Sequence, residues 1–306
     1  MPNGLIGRGV LITLLCAARI AAADTIYVSN EKDNTITVVD GASLAPVKTI
    51  PVGQRPRGIL LSKDAKSLYI CTSDSDHIEV LDLATDKMVR TLPSGADPEF
   101  FALDPSGKLL YIANEDDNLV TIVDIDRGEV VTEIPVGVEP EGMGISPDGR
   151  ILVNTSETTN MAHFIDTQTR KIVANVLVDA RPRFAEFKRD GSELWVSSEI
   201  GGTVSVIDPV KHAVTAKISF DIPGLRKEAV QAVGISITHD GKTGFVALGP
   251  ANRIAVVNGV THAVEKYLLT TNGVSNDVSV IDVASLKVIK SIQVGELPWG
   301  IAISRQ

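Results

Sequence analysis

Short apolar runs recur along this chain, each closed by an Asp or Asn: TITVVD ending at Asp40, IEVLD at Asp82, VTIVD at Asp124, HFID at Asp166, VSVID at Asp208, IAVVN at Asn258 and VSVID at Asp282. The closing residues stand 42, 42, 42, 42, 50 and 24 residues apart. Polar turns keep the same step: Asp64-Ala65, Ser106-Gly107, Asp148-Gly149 and Asp190-Gly191 follow one another at 42, and Asp240-Gly241 follows at 50. Arg57, Glu99, Glu141 and Arg183, each preceded by Pro, repeat at 42 as well. Three markers in one register define a structural repeat.

Each unit holds four runs of β-branched and apolar residues separated by turn residues. In one unit they are Gly142–Ser146, Leu152–Ser156, Met161–Asp166 and Ile172–Val178. Several, such as Ile122-Val123 and Val206-Ile207, are apolar on both faces, as expected of strands packed between two neighbouring sheets. Four strands per unit of about forty residues predict an all-β, seven-bladed-type β-propeller of four-stranded blades. The C-terminal run Trp299–Ser304 supplies an inner strand and the N-terminal TIYVSN, TITVVD and VKTIPV the other three. Both termini are therefore expected in one closing blade, which removes an open edge. The step of 50 reads as an insertion around Asp221–Val230. The step of 24 reads as a deletion that truncates one blade near 265–294. There an outer-strand pattern, 263–269 (AVEKYLL), runs directly into a second-strand pattern, 267–273 (YLLTTNG), with the inner strand missing near 265–271, so that six complete blades and a remnant are expected.

Residues 1–23 break the pattern. Arg8, the apolar run Val10–Ala18 and Ala21-Ala22-Ala23 before Asp24 read as a secretory signal peptide, leaving 24–306 as a single exported propeller domain, periplasmic in location. No later run is long enough to span a membrane.

Composition narrows the function. The formal charge is −9, with 29 basic and 38 acidic residues, and aromatics are 4% with two Trp. This speaks against a phosphate-binding surface and against a stacking platform for nucleic acid. The two Cys, Cys16 and Cys71, can make neither a disulfide framework nor a four-thiolate metal site, and no CxxCH is present. Cys71, within an apolar run, reads as a small buried hydrophobe.

The motifs Tyr111-Ile112-Ala113-Asn114, Asn118…Val123-Asp124, Ile134-Pro135-Val136-Gly137, Pro140-x-Gly142 and Ser146-Pro147-Asp148-Gly149 resemble the YVTN-repeat β-propeller family over nearly all of 24–306. The closing segment from Val294 to Ala302 is most similar to the exported members associated with pyrroloquinoline quinone (PQQ)-dependent catabolism. That resemblance implies a periplasmic quinoprotein dehydrogenase, or its cytochrome, as partner. It implies no catalytic residues. PQQ itself is not expected as a cofactor, because quinoprotein propellers carry Trp-rich docking repeats and this chain has Trp195 and Trp299 alone.

Propellers work at a channel mouth, where loops leading into the inner strands converge. Those loops carry Arg55 and Arg57, Asp97 and Glu99, Glu139 and Glu141, Arg181 and Arg183, the inserted Arg226-Lys227-Glu228, then Glu296 and Trp299. The candidate ligand-binding rim is Arg55, Arg57, Glu99, Glu141, Arg181, Arg183 and Trp299, able to grip a small zwitterionic or carboxylate ligand through Arg forks. The plainer alternative, which is favoured, is a solvated rim whose charges pair between neighbouring blades. His77, His163, His212, His239 and His262 do not converge as a ligand set. The Asp series closing the apolar runs reads as Asx turns bonding backbone two residues on. The acidic loops 30–34, 74–76 and 114–118 lack EF-hand spacing. Three functional classes follow. A monomeric, non-catalytic binding or assembly module, with neither cofactor nor metal, comes first. A lactonase-like hydrolase using Glu99 or Glu141 as base or metal ligand comes second. Nucleic-acid binding comes last, opposed by the acidic charge.

Overall fold

A computed structural model describes residues 24–269, 275–282 and 284–304. The leader expected over 1–23 lies outside them. The described residues form six four-stranded antiparallel sheets and one two-stranded sheet. We number the blades from the one that joins the termini, where Pro298–Ser304 is the inner strand, followed outward by Thr25–Asn30, Thr35–Asp40 and Ala45–Pro51. The inner strands of blades two to six are Pro56–Leu61, Pro98–Leu103, Pro140–Ile145, Pro182–Phe187 and Ala232–Ile237.

The seven-bladed expectation is thereby corrected: this is a six-bladed propeller, and among the described residues the seventh unit is the hairpin of Asp277–Asp282 with Lys287–Gln293, with neither an inner nor a second strand. Tyr267 to Leu269, shared by the outer-strand and second-strand patterns, pair with Ala255 to Arg253 as the outer strand of blade six. The rest of the second-strand pattern, 270–273, lies outside the described residues. The physical reason for six is visible at the inner ring. Trp299, on the inner strand of blade one, packs with Val233 and Ala247 of blade six, so the two blades meet without a strand between them. The hairpin is wedged between their outer parts. Its Ile281 and Leu286 pack on Phe245, Ile254 and Val256 of blade six, and its Val278 and Val280 on Ile26, Val28 and Val39 of blade one.

The core lies between blades. Trp195, Val204 and Val206 of blade five face Ile235, Val246 and Ala255 of blade six. Phe164 and Val153 of blade four face Val196 and Ala185 of blade five. Each fully buried Val or Ile contributes about 1.5–3 kcal/mol, which is why middle positions of the third strands are apolar on both faces. Cys71 is buried in this core. The marker Asp residues do turn-making work, one residue further along than expected: Asp40, Asp82, Asp124, Asp166 and Asp282 each accept from the N–H three residues on, and Asp208 and Asn258 accept from both the second and third.

Candidate functional site

The mouth loops are fixed by a repeated backbone device. Asn34, Asp76, Asn118 and Asn160 sit in the left-handed region at the hairpin between second and third strands, as do Arg55, Asp97, Glu139 and Arg181 in the loops they hold. The side-chain oxygen of each member of the first set accepts the backbone N–H of its counterpart in the second, 21 residues on, at 2.8, 3.0, 3.0 and 2.9 Å. A left-handed residue with a side chain costs about 1–2 kcal/mol, and this bond offsets that cost. Its result is that the side chains of Arg57, Glu99, Glu141 and Arg183, two residues further along, turn into the ring.

Arg57 donates from Nε to Glu99 Oε2 at 2.7 Å and from Nη1 to Glu31 at 3.3 Å. Arg55 donates to Asp97 at 2.8 Å and to Glu99 Oε1 at 3.0 Å. Glu99 is fully buried beneath these two guanidiniums. On the other side of the mouth, Arg183 pairs with Glu141 at 2.8 Å and with Glu157, and Arg181 pairs with Glu157 at 2.6 Å and Glu199 at 3.3 Å. Trp299 lies under Arg57, whose guanidinium carbon is 5.2 Å from the ring centroid. Phe100 reaches across to both Trp299 and Phe184, at centroid distances of 5.7 and 5.5 Å. Gly58, Gly142 and Gly300 hold the same strand position as these two Phe, and a Cβ at any of them would meet the next inner strand at under 3.0 Å. From blade two to blade five this position thus alternates minimal and large residues, and in blades six and one it is glycine in both, Gly234 and Gly300.

The seven rim candidates are brought together as two Arg–carboxylate clusters. Arg226, Lys227, Glu228 and Glu296 are exposed and stand apart from them. The favoured alternative, a solvated rim pairing between blades, is right about pairing and wrong about solvation: Arg57, Glu99, Glu141 and Arg183 are all buried. Every Arg of the rim is already engaged by at least one carboxylate, Arg181 through its Nε and with its side chain part-exposed.

Sequence reasoning missed a second acidic tier, Glu31, Glu115, Glu157 and Glu199, each just after a second strand. Glu115, Glu157 and Glu199 recur at the 42-residue step, so the signal was available. Around the mouth, four guanidiniums thereby face seven buried or half-buried carboxyls, Glu31, Asp97, Glu99, Glu115, Glu141, Glu157 and Glu199, and Arg55 also meets the exposed Asp74 at 3.3 Å. Part of the surplus is carried as protons, on Glu115 and Glu141. Burial would raise Glu99, but Arg57 and Arg55 more than offset it and hold the group down to about 2. Its hydrogen-bonded neighbour Glu115 is pushed up to about 8 by burial and by the Glu99 and Asp97 charges. Burial and Glu99 raise Asp97 to about 6 against Arg55. Burial drives Glu141 well up despite Arg183, while Glu157, which shares a hydrogen bond with it, is lowered by Arg183 and Arg181 against its own burial. Asp97, Glu99 and Glu115 bring one oxygen each within 4.8 Å of one another. His163 is structural: Nε2 accepts the Gly137 N–H at 3.0 Å, and burial lowers its pKa against the Asn175 hydrogen bond.

Fold and mouth together define a β-propeller with a charge-locked channel. A family model for YNCE-like beta-propellers matches residues 6–133. Among solved structures, the chain is similar to a chain of Kuenenia stuttgartiensis hydrazine synthase, at 20% identity and TM-score 0.76, covering 88% of this chain and 92% of that one. It is also similar to a functionally unknown protein from Desulfotomaculum acetoxidans DSM 771, at 14% identity and TM-score 0.77, covering 92% and 99%. At these identities the likeness speaks for the fold. No curated protein matches the sequence. Among the described residues no helix is long and apolar enough to cross a membrane.

Proposed function

We propose that this chain is an exported, non-catalytic binding propeller that serves as an assembly module beside a PQQ-dependent alcohol-oxidising system. The observation that carries the binding reading is the closed mouth. Glu99 is pinned by two Arg and held down to about 2, which makes it a poor proton acceptor at neutral pH. Phe100, Phe184 and Trp299 meet across the channel just beneath. A propeller locked in this way acts through its outer surfaces, by presenting loops and edges to a partner. The compartment and pathway context rest on the leader pattern of 1–23 and on the resemblance of the closing repeat. The test is a pull-down with the tagged full chain from periplasm of cells induced for quinoprotein oxidation. Recovery of a quinoprotein dehydrogenase or its cytochrome supports the proposal, and recovery of neither overturns the pathway assignment.

One observation favours a second reading, a lactonase-like hydrolase: the three converging oxygens of Asp97, Glu99 and Glu115. Turnover of a lactone panel with added divalent metal, lost in Glu99→Gln, would establish it in place of the first. An inert protein under the same conditions would dismiss it.

A further inference from the structure

Grooves run between the outer parts of neighbouring blades, and side chains of the third and outer strands fill several of them. In blade two Glu79 reaches back to the Gly53 N–H at 2.9 Å. In blade four His163 accepts the Gly137 N–H and meets Asn175 Oδ1 at 2.7 Å. In blade five Lys217 and Thr203 both donate to Asp179, at 2.7 and 2.6 Å. In blade one the same third-strand and outer-strand positions hold Thr37 and Thr49, a directly opposed pair. Their short side chains leave a cleft of about 510 Å³ between blade one and the hairpin. That volume falls within the range of roughly 300–1,000 Å³ usual for small-molecule sites.

Asn30 is fully buried and organises both walls of the cleft. Its Oδ1 accepts the Gly295 N–H at 3.0 Å, and its Nδ2 donates to the Thr35 and Thr37 hydroxyls, each at 2.9 Å. Each hydroxyl oxygen thus takes one hydrogen bond and keeps its own proton to give. Asp33 Oδ2 accepts the Glu296 N–H at 2.7 Å, which leaves Oδ1 as an acceptor. The walls are tied by the Glu31 and Lys32 N–H groups, which donate to the Leu297 and Glu296 carbonyls at 3.0 and 3.2 Å. In blade three Asn114 bonds Gly95 and Thr121 in the same way. There, however, Leu119 and Glu133 stand where blade one has Thr35 and Thr49.

We propose that this cleft binds a small uncharged polyol, of monosaccharide size, through neighbouring hydroxyl groups. Each hydroxyl of such a ligand both donates and accepts. It meets donors in the Thr35 and Thr37 hydroxyls, an acceptor in Asp33 Oδ1, and groups of both kinds in Gln293 and Thr49. Pro46 and Val294 supply an apolar patch for its C–H groups. Among the described residues no Lys, Arg or His lines the cleft, and no aromatic ring does. With one carboxylate and no cation, the lining disfavours a phosphate or carboxylate ligand, and without a ring it disfavours a flat heterocycle.

None of the rim residues lines the cleft, so this inference goes beyond the assembly reading and stands or falls without it. The probes are D-glucose, a ring, and D-sorbitol, an open chain, titrated into the full chain. Affinity is read by saturation-transfer NMR and location by hydrogen exchange. Expected are saturable binding of at least one probe with a dissociation constant of about 1 mM and slowed exchange over 30–37 and 293–297. Preference between the probes separates a cyclic from an open-chain ligand. D-glucose 6-phosphate should bind no more tightly than D-glucose. Thr49→Val and Asp33→Asn, the second of which keeps an acceptor for Glu296, should each weaken binding about five-fold. Thr49→Lys, which copies the filler of blade five, should abolish it. Both positions are exposed, and unchanged urea midpoints show that the variants are folded. The proposal is overturned by absence of saturable binding of either probe, by unchanged affinity in Thr49→Val and Asp33→Asn, by tighter binding of the phosphate, or by protection only elsewhere in the ring.

Discussion

Glu115 makes the proton surplus of the mouth measurable. In the folded chain it keeps its proton up to a pH of about 8, against an ordinary value of 4.5. Between those values the folded state therefore binds one proton more than the unfolded state, and stability must fall as pH rises, at about 1.4 kcal/mol per pH unit per proton. An isolated group shifted this far would cost about 5 kcal/mol once ionised. Glu115 is not isolated, because its hydrogen bond to Glu99 contributes to holding that group at about 2. The two carboxyls share one proton, and relaxation of the pair returns part of the cost. We expect Glu115→Gln, which keeps the shape and a donor to Glu99 but never ionises, to be as stable as the parent at pH 5. At pH 8.5 it should be more stable by about 2 kcal/mol. Urea unfolding of both proteins at half-unit steps from pH 5 to 8.5 reads the difference directly. A residual slope remains in the variant from Glu141, which burial raises, and from Glu186, which burial raises to about 8 against the Ile237 N–H bond. Parallel curves for parent and variant, or a variant weaker at pH 5, would refute the shared-proton argument.

Other substitutions address the remaining contacts. Arg183→Met should cost about 3–5 kcal/mol at pH 7, since it removes the guanidinium paired with buried Glu141 and leaves Glu157 with Arg181 alone, with partial recovery as pH falls and the carboxyls take protons; urea midpoints at pH 5 and 7 check this. Trp299→Ala should cost about 3–5 kcal/mol by opening a cavity against Val233, Ala247 and Phe100, read by chemical denaturation. Asn118→Gly keeps the left-handed turn but loses the bond to Glu139 N–H, for a loss of about 1 kcal/mol, whereas Asn118→Val adds the backbone penalty and should lose at least about twice that. Cys71, buried and with its thiol pushed up by that burial, should resist alkylation in the native protein and react fully in denaturant.

Much of the fold could be read from periodicity because a propeller is local in sequence: each blade is a meander, and one repeat predicts the next. The marker Asp residues and the strand order inside Met161–Asp166 and its neighbours follow from that. Periodicity flagged the short unit through the step of 24 but not how the ring closes over it, which depends on how far two distant blades can lean together. The six-residue run ending at Asp282 looks like any other third strand, yet among the described residues its unit lacks two partners, and Trp299 packed on blade six closes the inner ring without them. The mouth was legible in part. Arg57, Glu99, Glu141 and Arg183 stood out through the preceding Pro. Their partners Glu115, Glu157 and Glu199 did not, although the period is the same, because no Pro or turn marks them and an acid after a strand reads as a solvated loop. Burial decides the matter, and burial is a property of the assembled ring.

The position that follows the inner-strand Pro holds Arg57, Glu99, Glu141 and Arg183 in blades two to five, whereas the equivalent position is Val233 in blade six and Trp299 in blade one. The ring is thus an ionic arc joined to an apolar arc. Buried ion pairs add little net stability over apolar packing, because desolvation consumes most of the Coulomb gain, but they tolerate little change in spacing: a guanidinium displaced by one strand width no longer reaches its carboxylate. An apolar contact such as Trp299 on Val233 and Ala247 carries no such register. A deletion inside the ionic arc would strand buried charges, while one between blades six and one requires only that a large side chain fill the gap. The truncated unit sits at that seam, with the hairpin closing the outside and Trp299 the inside. The same asymmetry separates the two kinds of perturbation above: pH acts on blades two to five, and the cavity-forming change at Trp299 acts where blades six and one meet.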